Sequence, residues 1–223
     1  MTMINPELVI FDCDGVLVDS EIIGINLTLD VLRTYGCTIS KEEFSAYYSG
    51  MVWNSLIKKI NGDFNVSVPS GANYDFYDRL TQSFKEKLCR IDGTMEIVSN
   101  ITKATCICSN SGIEQIKFML ELTGLREFFT DTVFSATVLG ESRCKPKPDV
   151  FLLAADHFQV LPANTVVIED SVTGVTAAKA AGMYTVGFIG GSHTYPQHAE
   201  RLRAAGADVI IKSMYELPHL ISL

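Results

Sequence analysis

Leu8, Val9, Ile10 and Phe11 form a short apolar run that ends abruptly at Asp12. A run without alternation suits a parallel strand covered on both faces. From about residue 21 to 90 the spacing becomes helical. Residues 21–35 are predicted as a helix with Gly36 as its stop. Ser40 and Glu43 have the capping-box spacing, which starts a helix at Lys41. Residues 52–60 and 75–88 also read as helices, separated by a loop carrying Gly62, Pro69 and Gly71. No strand is predicted in this stretch. Beyond about residue 92 strand and helix alternate. Strands are predicted at 105–108, 133–135, 166–168, 185–189 and 209–211, and helices at 112–123, 148–158 and 172–181. Repeated βα units imply a doubly wound parallel sheet with helices on both faces. The fold class is therefore α/β, interrupted after its first strand by an all-helical insert.

Composition narrows the functional classes. Hydrophobic residues make up 47% of the 223 positions and charged residues 20%, the balance of an ordinary globular protein. The formal charge of −8 disfavours general nucleic-acid binding, because phosphate backbones would be repelled. No stretch is apolar for long enough to cross a membrane, and Asp12 and Asp14 interrupt the first apolar run, unlike a signal peptide. A cytoplasmic protein is expected. Cys106 and Cys108 alternate with Thr105 and Ile107 and read as small buried side chains rather than a zinc site, because no second ligand pair stands at suitable spacing.

Four groups of residues carry chemistry. Asp12-Cys13-Asp14-Gly15 closes the first strand, at the edge where ligands of open α/β sheets bind. Positions i and i+2 of an extended segment face the same side, so both carboxylates can serve one site, either sharing a proton or holding a cation. A polar strand end with a turn would look the same. Ser109 and Asn110 close the next strand, and Ser111 with Glu114 has capping-box spacing, which reads as a helix cap or a phosphate cradle. In Lys145-Pro146-Lys147-Pro148-Asp149 two prolines stiffen the segment that carries Lys145. Glu169-Asp170-Ser171 closes a later strand, with Gly174 following. Together with Asp12 and Asp14 these carboxylates form the hard-oxygen set that Mg²⁺ prefers.

The order D-x-D-G, S-N, K-P-x-P-D and E-D-S-x-x-G resembles the haloacid dehalogenase (HAD) superfamily of phosphohydrolases, over nearly the whole chain. Asp19-Ser20-Glu21 and Ala207-Asp208-Val209-Ile210 belong to the same resemblance. Within it the chain is similar to the β-phosphoglucomutase-like branch. That resemblance implies a Rossmann-like core formed by residues 1–17 and 92–223, and a helical cap formed by residues 18–91.

It also implies roles. Asp12 matches the nucleophile that forms an aspartyl phosphate, and Asp14 the general acid/base. Ser109 and Asn110 match phosphoryl-binding positions, and Lys145 offsets charge between nucleophile and phosphate. Asp170, the Asp12 carboxylate and the Asp14 backbone carbonyl would hold Mg²⁺, with Glu169 a further ligand directly or through water. Glu21 matches a position at the site entrance and is expected to contact substrate. Asp14 points to phosphate esters rather than to halides or phosphonates. Gly24 stands where mutases of this branch carry a histidine, which favours a phosphatase over a phosphomutase. A non-catalytic binding protein is the remaining alternative. The expected substrate is a small phosphorylated metabolite, a sugar or sugar-acid phosphate, acted on by a monomer.

Gly50 falls in a turn where relatives contact substrate. Met51, Val52, Trp53 and Asn54 follow it instead of the basic residue of several sugar-phosphate enzymes. Tyr47, Tyr48, Tyr74, Phe76 and Tyr77 are expected in the cap core, with Trp53 packed there or stacked on substrate. His157, His193, His198 and His219 match no catalytic position and are expected at the surface or in packing.

Overall fold

A computed structural model describes residues 4–51 and 53–222. The first apolar run forms β1 (Leu8–Phe11), in which all four side chains are buried. It is a central strand of a six-stranded, all-parallel sheet with β2 (Ala104–Ser109), β3 (Val133–Ser135), β4 (Thr165–Glu169), β5 (Tyr184–Phe188) and β6 (Val209–Ile211). The strand order is β3-β2-β1-β4-β5-β6, so the order reverses at β1. Leu8 pairs with Ala104 on one side and Thr165 on the other.

Alternation along the strands feeds two cores. Val9 and Phe11 face one side with Ile107, Ile168 and Phe129, covered by α5 (Thr94–Asn100) and α6 (Ile113–Thr123). Leu8 and Ile10 face the other with Cys106, Cys108 and Val167, under α7 (Asp149–Phe158) and α8 (Val172–Ala180). Cys106 and Cys108 are thus buried packing groups, as their alternation implied. Helix α9 (His198–Ala205) precedes β6.

Between β1 and β2 lie the helices of the insert: α1 (Glu21–Thr34), α2 (Lys41–Tyr47), α3 (Trp53–Phe64) and α4 (Phe76–Lys87). They enclose a separate core of Leu29, Leu32, Phe44, Tyr48, Ile57 and Ile60. The chain enters and leaves this layer through a narrow neck. Ile91 N–H donates to Leu17 O at 3.1 Å, Asp19 N–H donates to Cys89 O at 3.0 Å, and Val18 bridges Arg90.

Several expectations are corrected. The predicted start of α3 at Val52 lies outside the described residues. Its end lies beyond Ile60, and Gly62 is helical, because Phe64 still packs on the cap core. Helices α5 and α9 were not predicted. Ser111 does not cap α6. Its N-cap is Gly112, without a side-chain cap bond. Of Tyr47, Tyr48, Tyr74, Phe76 and Tyr77, expected in the cap core, only Tyr48 is buried. Phe44 and Tyr48 share one face at i, i+4 spacing and fill the core, which turns Tyr47 outward. Tyr74 and Tyr77 are exposed, and Phe76 is half-buried. Trp53 packs in the cap, its indole N–H donating to Ser70 O at 2.7 Å.

Phe11 is fully buried and meets Phe129 edge-on, with ring centroids 6.4 Å apart. Phe11→Ala is expected to cost about 3–5 kcal/mol of stability through lost burial and the cavity left behind. Urea unfolding would show this as a lowered midpoint with an unchanged slope. An unchanged midpoint would contradict the packing described.

Candidate active site

The site gathers at the C-terminal edge of the sheet, where β1, β2 and β4 end side by side. Asp12 stays in register there because its N–H donates to Ile168 O at 2.9 Å. The Lys145 ammonium reaches it through the interior. It donates to Asp12 Oδ1 at 2.6 Å, to Glu169 Oε1 at 2.7 Å and to Cys108 O at 2.7 Å, so all its protons are used. Asn110 fixes the lysine's backbone from both sides. Its Oδ1 accepts from Lys145 N–H at 2.9 Å and its Nδ2 donates to Lys145 O at 3.2 Å. Burial disfavours the charged lysine, but Asp12 and Glu169 outweigh it and hold the ammonium protonated, above its ordinary range.

Asp14 is turned toward hydroxyls. Its Oδ1 accepts from Ser20 at 2.7 Å, and its Oδ2 accepts from Ser111 at 2.7 Å and Ser109 at 3.3 Å. Ser109 in turn accepts from Ser111 N–H at 3.0 Å. The serine read as a helix cap therefore belongs to the site. Gly15, with φ +77°, is required by close approach. A Cβ there would collide with the Asp170 carboxylate and crowd His193. Gly174 has the same relation to the Glu169 carboxylate. That carboxylate also accepts from Ser171 N–H at 2.8 Å and Ser171 Oγ at 2.9 Å.

Two histidines expected at the surface or in packing are buried against Asp170. His193 Nε2 lies 2.9 Å from Asp170 Oδ2, and its Nδ1 is buried without a partner among the described residues. Burial pulls this imidazole down, but the hydrogen bond and charge of Asp170 raise it above its ordinary value. His198 stacks on Tyr195, and its Nε2 donates to Asp170 O at 2.7 Å. His157 and His219 are at the surface. His193 follows β5 at the same sheet edge, so a strand-end rule applied to every strand would have flagged it. Arg201 lies on the unpredicted α9 and gave no signal.

Two cavities meet over this edge. One of 450 Å³ holds Asp12, Asp14, Ser109, Asn110, Lys145, Glu169 and Asp170, together with His193, His198 and Arg201. The other, of 480 Å³, reaches into the cap toward Trp53, Phe76 and Tyr77. Asp14, Glu21, Ser49, Gly50 and Ser111 line both. Glu21 thus stands at the seam, where burial and the charge of Asp14 push its carboxyl up to about 7.

The four carboxylates Asp12, Asp14, Glu169 and Asp170 do not close into a cage. Among the described residues no three metal-ligating side chains converge. Asp14 is committed to hydroxyls, and Glu169 to Lys145 and Ser171. No donor among the described residues reaches Asp12 Oδ2 or Asp170 Oδ1. Both carboxyls are buried and pushed up, by burial first and then by neighbouring charges including Glu169, against the lowering effects of Lys145 and, for Asp170, His193. An uncompensated pair of hard oxygen donors fits a small divalent cation that keeps several of its waters.

A family model described as haloacid dehalogenase-like hydrolase matches residues 9–188. The chain belongs to that family, and a putative β-phosphoglucomutase from Thermotoga maritima, 24% identical with a TM-score of 0.74, shares its fold. A haloacid dehalogenase-like protein of unknown function from Agrobacterium tumefaciens is 41% identical. It superposes with a TM-score of 0.92 and covers 96% of this chain and 97% of its own. A HAD family hydrolase from Deinococcus radiodurans, solved with bound phosphate and sodium, is 29% identical with a TM-score of 0.84, covering 95% and 93%. The 6-phosphogluconate phosphatase of Escherichia coli is 28% identical over 195 residues, 87% of each chain. No helix among the described residues is long and apolar enough to cross a membrane.

His198 supplies a test of the buried arrangement. Burial pulls its imidazole down to about 4 from an ordinary 6.5. Between those values the unfolded chain binds the extra proton and the folded chain does not, so stability falls as pH drops through the window. His198→Gln is expected to flatten the decline of Tm between pH 6.5 and 4. Parallel profiles for the two proteins would refute the assignment.

Proposed function

We propose that the protein is a phosphatase that hydrolyses a small phosphorylated metabolite, a sugar or sugar-acid phosphate, through an aspartyl phosphate on Asp12. The observation that carries this reading is the buried Lys145 ammonium 2.6 Å from Asp12 at a sheet edge that also presents Ser109. A carboxylate cannot approach a phosphate dianion unless positive charge screens the repulsion.

In this reading the Asp12 carboxylate attacks phosphorus while the bond to the leaving oxygen breaks. Asp14 delivers a proton to that oxygen, then takes one from the water that attacks the aspartyl phosphate. Free phosphate leaves and the Asp12 carboxylate is restored. Ser20 and Ser111 hold Asp14 in place for both transfers. Ser109 binds a phosphoryl oxygen. Asn110 acts chiefly by fixing the backbone of Lys145. Asp12, Asp170 and the Asp14 backbone carbonyl would hold Mg²⁺, with Glu169 one shell further out. Bound there, the ion supplies charge neutralisation of the phosphoryl group. Residues 18–91 act as a cap on residues 1–17 and 92–223, closing over substrate about the neck at Val18 and Arg90 and placing Glu21 against it. Gly24, which lines the cap-side cavity, offers no proton carrier for a mutase.

Asp12→Asn is expected to lower hydrolysis of a generic phosphate ester by at least about 10³-fold. Persistence near the wild-type rate would remove the nucleophile assignment. Chelation of divalent metal is expected to abolish turnover, and added Mg²⁺ to restore it. Activity unchanged in chelator would remove the metal from the reading. Product analysis separates the alternatives, since a mutase yields an isomerised sugar phosphate and a binding protein yields nothing.

A further inference from the structure

The cations of the joined cavities are unevenly committed. In the core-side cavity Lys145 is saturated by two carboxylates and a carbonyl, and His193 is paired with Asp170. The cap-side cavity is lined by no Lys, Arg or His among the described residues. Arg201 lines the core-side cavity and has no carboxylate partner among the described residues. Its guanidinium hydrogen-bonds only uncharged partners, the backbone carbonyl of Ala46 on α2 of the cap and the Tyr195 hydroxyl. In a chain with net charge −8, an arginine free of acidic partners beside a cluster of carboxylates is a charge kept available.

Its orientation is held as well. The guanidinium carbon lies 5.7 Å from the ring centroids of both Tyr47 and Tyr195. Arg201 also follows His198 by three positions, so α9 turns both toward the cavity from one face. An arginine stacked on aromatic rings presents a pre-organised planar fork, which matches a carboxylate.

We propose that Arg201 is a specificity-determining residue. Its guanidinium receives a carboxylate on the leaving group, so the preferred substrates are phosphorylated sugar acids rather than neutral sugar or polyol phosphates. This rests on the phosphatase reading above and narrows it. A second phosphate is a poorer match, because one guanidinium cannot neutralise a dianion beside Asp12, Asp14, Glu21, Glu169 and Asp170. The positive charge missing from the turn after Gly50 is thus supplied from the core side of the cleft.

The test compares an aldonic acid 6-phosphate with the matching alditol 6-phosphate, which differ only by carboxylate against hydroxymethyl. The wild-type protein is expected to favour the acid by about tenfold or more in kcat/KM. Arg201→Gln is expected to bring that ratio to about one, mainly through a higher KM for the acid. Arg201→Lys, which keeps the charge and loses the fork, is expected to fall between. A wild-type ratio near one, with both substrates hydrolysed, overturns the proposal. Equal losses on both substrates in Arg201→Gln also overturn it and assign Arg201 to holding the cap. A protein that hydrolyses p-nitrophenyl phosphate but neither sugar derivative refutes this inference alone. Failure on all three refutes the phosphatase reading itself.

Discussion

One buried ammonium ion organises the reaction edge of this protein. Lys145 sits where two strand ends deliver carboxylates, and without its charge Asp12 and Glu169 would face each other as unscreened anions in the interior. Burying such an arrangement is costly, and it is tolerated here because every proton of the ammonium finds an acceptor. The geometry is over-determined. Asn110 clamps the backbone of Lys145, Ser171 steadies Glu169, and Gly174 leaves room for the carboxylate.

The two cavities divide labour between the layers. Groups that can act on a phosphoryl ester stand on strand ends, the most rigid part of the fold. Aromatic side chains that can pack on an organic skeleton stand on cap helices, which are tied to the core by the neck at residues 17–19 and 89–91. Glu21, Ser49 and Gly50 lie at the seam, within reach of both ends of one small molecule. Apolar character in the cap and dense charge in the core thus match, in the proposed reading, the two halves of a phosphorylated metabolite.

Much of this was legible in the sequence, for a physical reason. β1 and β4, buried on both faces, read as apolar runs, the shorter, partly buried edge strands β3 and β6 still stand out between turns, and the polar residues closing β1, β2 and β4 mark the edge that matters. Short helices were harder. α5 has seven residues and α9 eight, and each is stabilised by docking on an existing sheet rather than by strong periodicity. Ser111 was misread because a hydroxyl before a helix looks alike whether it caps an amide or bonds a carboxylate. His193 and Arg201 lie far along the chain from the motifs they adjoin, and no local pattern announces a partner brought close only by the winding of the sheet. The cap tyrosines show the complementary error. Aromatic residues in a helical stretch suggest a core, but the face filled by Phe44 and Tyr48 leaves their neighbours outside.

The central position of β1 bears on how the chain assembles. Leu8 pairs with Ala104 and Thr165, so one hydrogen-bonding edge of β1 stays open until β2 exists and the other until β4 does. The inserted helices bury their own cluster and can condense first, as local contacts form fastest. Sheet formation then closes long loops around a preformed helical body, and Asp12 is sheltered only at that late stage. Until those partners are made, Leu8 to Phe11 are therefore an apolar segment open to wrong contacts, a hazard that the folded sheet removes by burying all four side chains.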